Sequence, residues 1–178
     1  HLLSRRQRQM CIRDRYLADT GRLDQVSRGV YTLPEVWEDE FVSIQERYKR
    51  GVFALDTALF LHDLTDRTPH KFHMAFPYGY NTSSPKAAGI LCSCKKEPYY
   101  SLGIALVDTP AGNTVRAYNA EKTLCEILKP ISHTDIQIIT DAFKRYAGRK
   151  DKNIPLLSEY AHQLRVEKRL RPYLEVLL

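Results

Sequence analysis

The sequence lacks the features that most often declare a function. No apolar stretch approaches the roughly 20 residues that a helix needs to span a bilayer; Gly103–Val107 is among the longest. Leu2 and Leu3 lead into arginines rather than an apolar h-region, which reads against a signal peptide and leaves the cytoplasm as the expected location. Cysteine is sparse: Cys11, Cys92, Cys94 and Cys125 are unevenly spaced and make no disulfide framework. Cys92-Ser-Cys94 lacks the two-residue gap of a zinc knuckle or redox pair. Strand alternation would turn both sulfurs to one face, where small buried side chains are expected. The six histidines form no metal-ligand spacing with the cysteines, and His70 and His73 fall on opposite faces of a strand. There is no Gly-x-Gly-x-x-Gly or Walker-type phosphate loop and no serine in a nucleophile elbow. Asp63 and Asp66 read as a capped helix end. The expectation is a chain that is not an enzyme and needs no cofactor and no metal.

What is present is the make-up of a folded domain. An apolar fraction of 43% over 178 residues, with no low-complexity run, suffices for one core and a small appendage. The net charge of +6 is uneven. Residues 1–28 hold seven arginines against three aspartates, whereas the remaining 150 residues hold 20 basic and 18 acidic groups. Such an asymmetry points to a nucleic-acid-binding end. Residues 1–15 show no apolar periodicity, and Ser4–Arg15 resembles the translation of a sequencing adapter joined to a gene fragment. They are expected to be foreign, or else a disordered basic arm that touches phosphates.

From Tyr16 the pattern becomes regular. Tyr16–Gly21 reads as the last turn of a helix closed by glycine, and Arg22–Ser27 and Arg28–Leu33 as two short strands with Gly29 at the tight turn. A helix end followed at once by a basic hairpin is the trailing half of a winged helix-turn-helix. Trp37, Phe41, Ile44 and Tyr48 space a helix over Glu35–Tyr48, and Asp56–Leu64 supports another. Phe72, Met74 and Phe76 alternate as a half-buried strand, followed by a turn-rich loop from Pro77 to Pro85. Further strands are expected at Gly89–Cys94, Leu102–Asp108 and Thr114–Tyr118. The tail is helical: Asn119 caps a helix through Leu128, and Ser132 and Asp135 give a capping-box-like start to one reaching Ala147, with a buried stripe of Ile136, Ile139, Phe143 and Tyr146. Asn153 starts a third, and the last carries Pro172 as an awkward interior residue or a break.

Several segments stand in the order and spacing of one family. They are Arg28-Gly-Val-Tyr31, Gly51–Leu64, Thr65-Asp-Arg-Thr-Pro69, Phe76-Pro-Tyr-Gly-Tyr-Asn81, Gly112–Tyr118, Glu121-Lys-Thr-Leu124, Phe143-Lys-Arg-Tyr146 and Tyr173–Leu178. Over Tyr16–Leu178 the chain resembles the AbiEi-type antitoxins of type IV toxin–antitoxin systems, which serve abortive infection and phage defence. The departures are Glu126, where the family pattern often has aspartate, and Pro172. The resemblance implies a winged helix-turn-helix that represses its own operon and a C-terminal domain that counteracts a nucleotidyltransferase-like toxin without a stable complex. On this resemblance, the helices that precede the hairpin in the family are expected to be missing or replaced before Tyr16.

The expected fold is therefore α+β: residues 1–15 foreign or disordered, 16–34 a winged helix-turn-helix remnant, and 35–178 a mixed α+β antitoxin domain with a helical C-terminal tail. The expected partners are operator DNA and a nucleotidyltransferase-like toxin, with no membrane. A DNA-binding transcriptional regulator without a toxin partner is the alternative. The candidate DNA contacts are Arg22, Ser27, Arg28, Gly29 and Tyr31, because a wing lies along phosphates and needs flexible cations and hydroxyls there. For Arg28 a solvated hairpin explains the residue equally well, and for Tyr31 a core position explains it better. In the tail, Lys144, Arg145, Arg149 and Lys150 form a basic cluster, read either as a solvated helix face or as a surface that contacts tRNA, toxin or DNA.

Overall fold

The structure, a computed structural model, describes residues 24–27, 30–32 and 39–177. The chain divides into two compact units, His1–Arg47 and Tyr48–Leu178. The boundaries expected at 15/16 and 34/35 lie outside the described residues, as does the helix end expected at Tyr16–Gly21.

In the first unit, strands β1 (Asp24–Ser27) and β2 (Val30–Thr32) pair antiparallel. Gln25 faces Tyr31 and Ser27 faces Val30, with an irregularity between Gln25 and Ser27. Residues 22, 23, 28, 29 and 33 of the two expected strands lie outside the described residues. Helix α1 (Glu40–Arg47) opens where the Asp39 carboxylate accepts from the Phe41 amide at 3.0 Å. The part of the expected helix before Asp39 lies outside the described residues.

The second unit is a mixed α+β fold. Its five-stranded sheet runs β5-β4-β3-β7-β6, built from β3 (Val52–Phe53), β4 (His73–Pro77), β5 (Leu91–Lys95), β6 (Ile104–Asp108) and β7 (Thr114–Tyr118). β3 is parallel to β7 and antiparallel to β4, β4 is parallel to β5, and β6 is antiparallel to β7. Register assigns the faces. Phe53, Met74 and Phe76 share one; Val52, Ala75 and Tyr118 share the other. Both are covered, so Met74, Ala75 and Phe76 are all fully buried. β4 is thus not the half-buried strand that its alternation suggested: as an inner strand it has no solvent face. Phe76 stacks on Tyr80 at 4.6 Å and meets Tyr48 edge-on at 6.5 Å.

Six helices join the sheet: α2 (Leu55–Leu61), α3 (Ser83–Ala87), α4 (Ala120–Ile127), α5 (Ile136–Ala147), α6 (Ile154–Gln163) and α7 (Glu167–Leu177). The helix expected to reach Leu64 stops at Leu61, and the chain leaves it through Asp63 in the left-handed region (φ 55°). The loop expected up to Pro85 contains α3. Asn119 and Asn153 cap α4 and α6 as expected, accepting from the Lys122 and Leu156 amides at 2.9 and 3.0 Å. Ser132 does not open α5. Its hydroxyl donates to the carbonyls of Ile127 and Lys129, closing the end of α4, and Asp135 caps α5 from Gln137 at 2.7 Å. α5 buries Ile139, Ala142, Phe143 and Tyr146, but Ile136 is 64% exposed. At 100° per residue Ile136 lies only about 20° round from the buried Phe143, so its place in the first turn of the helix, rather than its face, leaves it exposed. α7 carries Pro172 inside it without a break.

These helices enclose one apolar cluster, with Leu59 and Leu64, Leu124 and Cys125, Phe143 and Tyr146, Leu157 and Leu170 among its members. Burying each leucine contributes about 1.5–3 kcal/mol, so this cluster is the main source of stability in the unit. Among the described residues no helix is long and apolar enough to cross a membrane.

Candidate functional site

Helix α4 follows β7 with only Asn119 between them, and that short joint sets the site. The Asn119 amide donates to the Gly103 carbonyl at 2.8 Å while its side chain caps the helix. Gly103 sits at φ 69°, where a Cβ would come within 2.9 Å of Lys122 Cβ. Glycine is required there on both counts. The tight joint lays α4 across the sheet face carrying Val52, Ala75 and Tyr118, and all eight of its residues are buried.

Three of those residues, Glu121, Lys122 and Glu126, are charged, and Lys122 and Glu126 stand one turn apart. A further charge beside that pair, Lys95, comes from the end of β5. Register puts Lys95 and Ser93 on the face of Ala75, toward α4. Glu126 Oε1 accepts from Lys95 Nζ and lies 3.6 Å from Lys122 Nζ. Lys122 also donates to the carbonyls of Tyr99 (2.7 Å) and Leu102 (3.1 Å). The Tyr118 ring lies beneath both ammonium groups, 4.1 Å from Lys122 Nζ and 4.7 Å from Lys95 Nζ. Two buried cations against one carboxylate leave a positive surplus, which the carbonyls and the ring face accommodate. Burial lowers the pKa of Lys122 to about 8 and also lowers that of Lys95, with Glu126 opposing in both cases. Burial raises that of the Tyr118 phenol.

Lys95 and Glu126 of this cluster line an open cleft of about 600 Å³, while Lys122 and Tyr118 are fully buried. Its rim adds Lys96 and Lys129, the half-exposed Tyr99, and Ile131, which is 81% exposed. His73 lines it too, its pKa lowered by burial. Leu55 on the wall is held at φ 47°, a conformation that costs a bulky side chain on the order of 1–3 kcal/mol. Two polar atoms of this wall, Glu126 Oε2 and Ser93 Oγ, are buried without a hydrogen-bond partner. Glu126 is 3% exposed.

The residues singled out in the sequence lie elsewhere. Arg22, Arg28 and Gly29 are outside the described residues, while Ser27 and Tyr31 stand on β1 and β2. Lys144 and Arg145 are exposed on α5, where Arg145 meets Asp66 at 3.2 Å. Arg149 is a fastening rather than a free cation: it pairs in bidentate fashion with Asp151 and donates to the His62 carbonyl at 2.8 Å. Lys150 is exposed. Cys92 and Cys94 are not small buried side chains. Cys92 is half-buried and Cys94 exposed, because β5 is an edge strand; Cys125 alone of the described cysteines is buried. Among the described residues no group of three or more His, Cys, Asp or Glu could hold a metal ion.

Sequence reasoning missed the Lys95–Glu126–Lys122 cluster. The only available signals were the i, i+4 spacing of Lys122 and Glu126 and the departure at Glu126. No protein-family model matches the chain, and no curated protein matches it either.

Proposed function

We propose that the chain is the antitoxin of a type IV toxin–antitoxin system, acting in the cytoplasm against a nucleotidyltransferase-like toxin. One observation carries the reading: segments scattered along the sequence that bear the AbiEi resemblance converge on one core. Gly51–Leu64 supplies β3 and α2, Gly112–Tyr118 supplies β7 beside β3, and Glu121–Leu124 lies in α4. Phe143 and Tyr173, from two further segments, stack at 4.4 Å. Segments that meet in a core constrain one another, so their joint order is a stronger sign of common descent than any one of them.

The β1–β2 ribbon supports a second element of the same reading, a wing that contacts operator DNA and gives autorepression. Its strands carry Ser27 and Tyr31, and Arg22 and Arg28 flank β1 in sequence. Phosphate contacts of this kind set affinity and register rather than sequence preference. On the tail, Lys144 and Lys150 are the cations of the candidate surface best placed to meet an anionic partner.

A rescue assay tests the proposal. The toxin encoded beside this chain in its source genome is induced in cells with and without residues 16–178. Restored growth is the expected result. Failure to rescue by a chain shown to be folded overturns the antitoxin reading and leaves the transcriptional regulator, for which operator retardation weakened by Arg28→Ala would be the sign.

A further inference from the structure

The cleft beside α4 has what a binding site needs and an ordinary structural ion cluster does not. Buried charges in a settled core have every polar atom satisfied, since an orphan acceptor or donor costs about 1–3 kcal/mol. Here two atoms on one wall are orphaned: an acceptor, Glu126 Oε2, and a hydroxyl, Ser93 Oγ. The local charge is also lopsided. Lys95, Lys96 and Lys129 line it against the single carboxylate of Glu126, which the buried Lys122 also claims, so the cleft attracts anions. Its mouth carries flat apolar surface in Tyr99 and Ile131.

We propose that this cleft binds a nucleotide unit, its phosphate held by Lys96 and Lys129 at the rim and a sugar hydroxyl or base N–H reaching Glu126 Oε2. Each part of that chemistry answers one observation. A phosphate meets the cationic rim, where Lys96 now lies over the Tyr78 ring at 4.9 Å, a contact worth little at an exposed site. A donor on the same molecule satisfies Glu126. Ser93 donates to the ligand, and the base lies on Tyr99 and Ile131, as bases do on aromatic platforms. Sulfate, which carries no proton at neutral pH, would satisfy the lysines but leave Glu126 Oε2 orphaned, because a carboxylate oxygen repels an anion that carries no donor. The small shift needed to open Glu126 falls on Lys95, whose side chain is 17% exposed and spans the gap between cluster and solvent.

The same chemistry has two sources, a free nucleotide or a nucleotide within a single-stranded RNA. Titration calorimetry on the full chain with sulfate, ATP, CTP and a ten-nucleotide RNA separates them. Binding of ATP or CTP identifies the free ligand; binding of the RNA alone identifies the polymer. In either case Lys96→Ala/Lys129→Ala is expected to weaken binding by at least about tenfold, since two charge-assisted contacts are lost. Both side chains line the rim, so thermal unfolding of the double variant should match that of the parent. Glu126→Gln removes the only carboxylate of the cleft, so it should strengthen any weak sulfate binding while weakening that of the nucleotides or the RNA, measured at a temperature where the variant is shown to be folded. The proposal is overturned if sulfate binds as well as the nucleotides and the RNA, if no probe binds at millimolar concentration, if the lysine variant binds as the parent does, or if folded Glu126→Gln binds the nucleotides and the RNA as the parent does. It stands independently of the antitoxin reading, because it is read from purified protein without toxin.

Discussion

Helix α4 buries two glutamates, and they live in opposite circumstances. Glu121, on one side, faces the apolar cluster and accepts the Tyr146 hydroxyl at 2.7 Å, while that hydroxyl accepts from the Asn153 amide at 2.8 Å. The chain is closed, every group in it has its partner, and its effect is to tie α4, α5 and the start of α6 together. Glu126, five residues on and about 140° round the helix, faces the cleft among cations that outnumber it and keeps one oxygen without a donor. A buried acid can therefore be a fastening or an unfinished contact, and depth alone does not tell which. The hydrogen-bond inventory does.

The largest effect should come from deleting the carboxylate at the cleft. Glu126→Ala leaves Lys95 and Lys122 facing each other over Tyr118 with no counter-charge, and breaking a buried pair in this way costs about 3–5 kcal/mol. Urea unfolding measures it. The converse deletion, Lys122→Met, keeps the Lys95–Glu126 pair and removes the surplus cation but orphans the Tyr99 and Leu102 carbonyls, so it should cost less than Glu126→Ala, about 1–3 kcal/mol. If Lys122→Met proves as damaging as Glu126→Ala, the two lysines are not in surplus and the contrast between the glutamates fails.

Next comes the closed side. Tyr146→Phe removes one hydroxyl and orphans two groups at once, Glu121 Oε1 and the Asn153 amide, for an expected loss of about 1–3 kcal/mol. Glu121→Gln keeps an acceptor for the same hydroxyl and should cost less. A measured order in which Glu121→Gln exceeds Tyr146→Phe would mean that the charge, rather than the hydrogen bond, fastens this side.

Much of the framework was legible and the site was not, for a reason that lies in how pattern reads structure. Asn119 and Asn153 announce helix starts because a cap is a local event, a side chain meeting an amide two or three residues on. Thr114–Tyr118 was found intact, since it is bounded by turn residues at both ends. β4 was mistaken for a half-buried strand because Lys71, His73 and Ala75 looked like a solvent face; only the sheet order shows that Ala75 is covered. α4 is the harder case. Its sequence, Ala-Glu-Lys-Thr-Leu-Cys-Glu-Ile, shows polar residues that periodicity assigns to water. They are buried because a strand delivers Lys95 to Glu126 across 31 residues of sequence and a loop brings the Tyr99 carbonyl to Lys122. Compensation of that kind is non-local, so no window along the chain contains it. The basic cluster of α5 erred in the other direction: its Arg149 was legible as a cation but not as the anchor of the His62 carbonyl.

The smallest expected effect is a slope in pH, and it isolates one residue of the cluster. Burial holds the folded-state pKa of Lys122 near 8 against an ordinary 10.5, with Lys95 and Lys129 adding to the depression and Glu126 opposing it. The depressed group is a base, so the folded protein sheds its proton first, and between those values the unfolded chain binds more protons. Stability must then rise with pH from about 8 upward, by at most about 1.4 kcal/mol per unit. Other groups intrude higher up. Cys125, pushed up to about 12 from an ordinary 9.0, makes the folded state bind the extra proton and lowers stability above pH 9. The clean window is pH 8 to 9, and the useful quantity is the parent minus Lys122→Met, in which Cys125 cancels. The parent should gain roughly 1 kcal/mol on the variant across that window, read from urea midpoints at each pH. A flat difference would mean that Glu126 and the two carbonyls fully offset the burial of Lys122. The cluster would then carry no strained cation, and the two sides of α4 would differ only in the orphan oxygen.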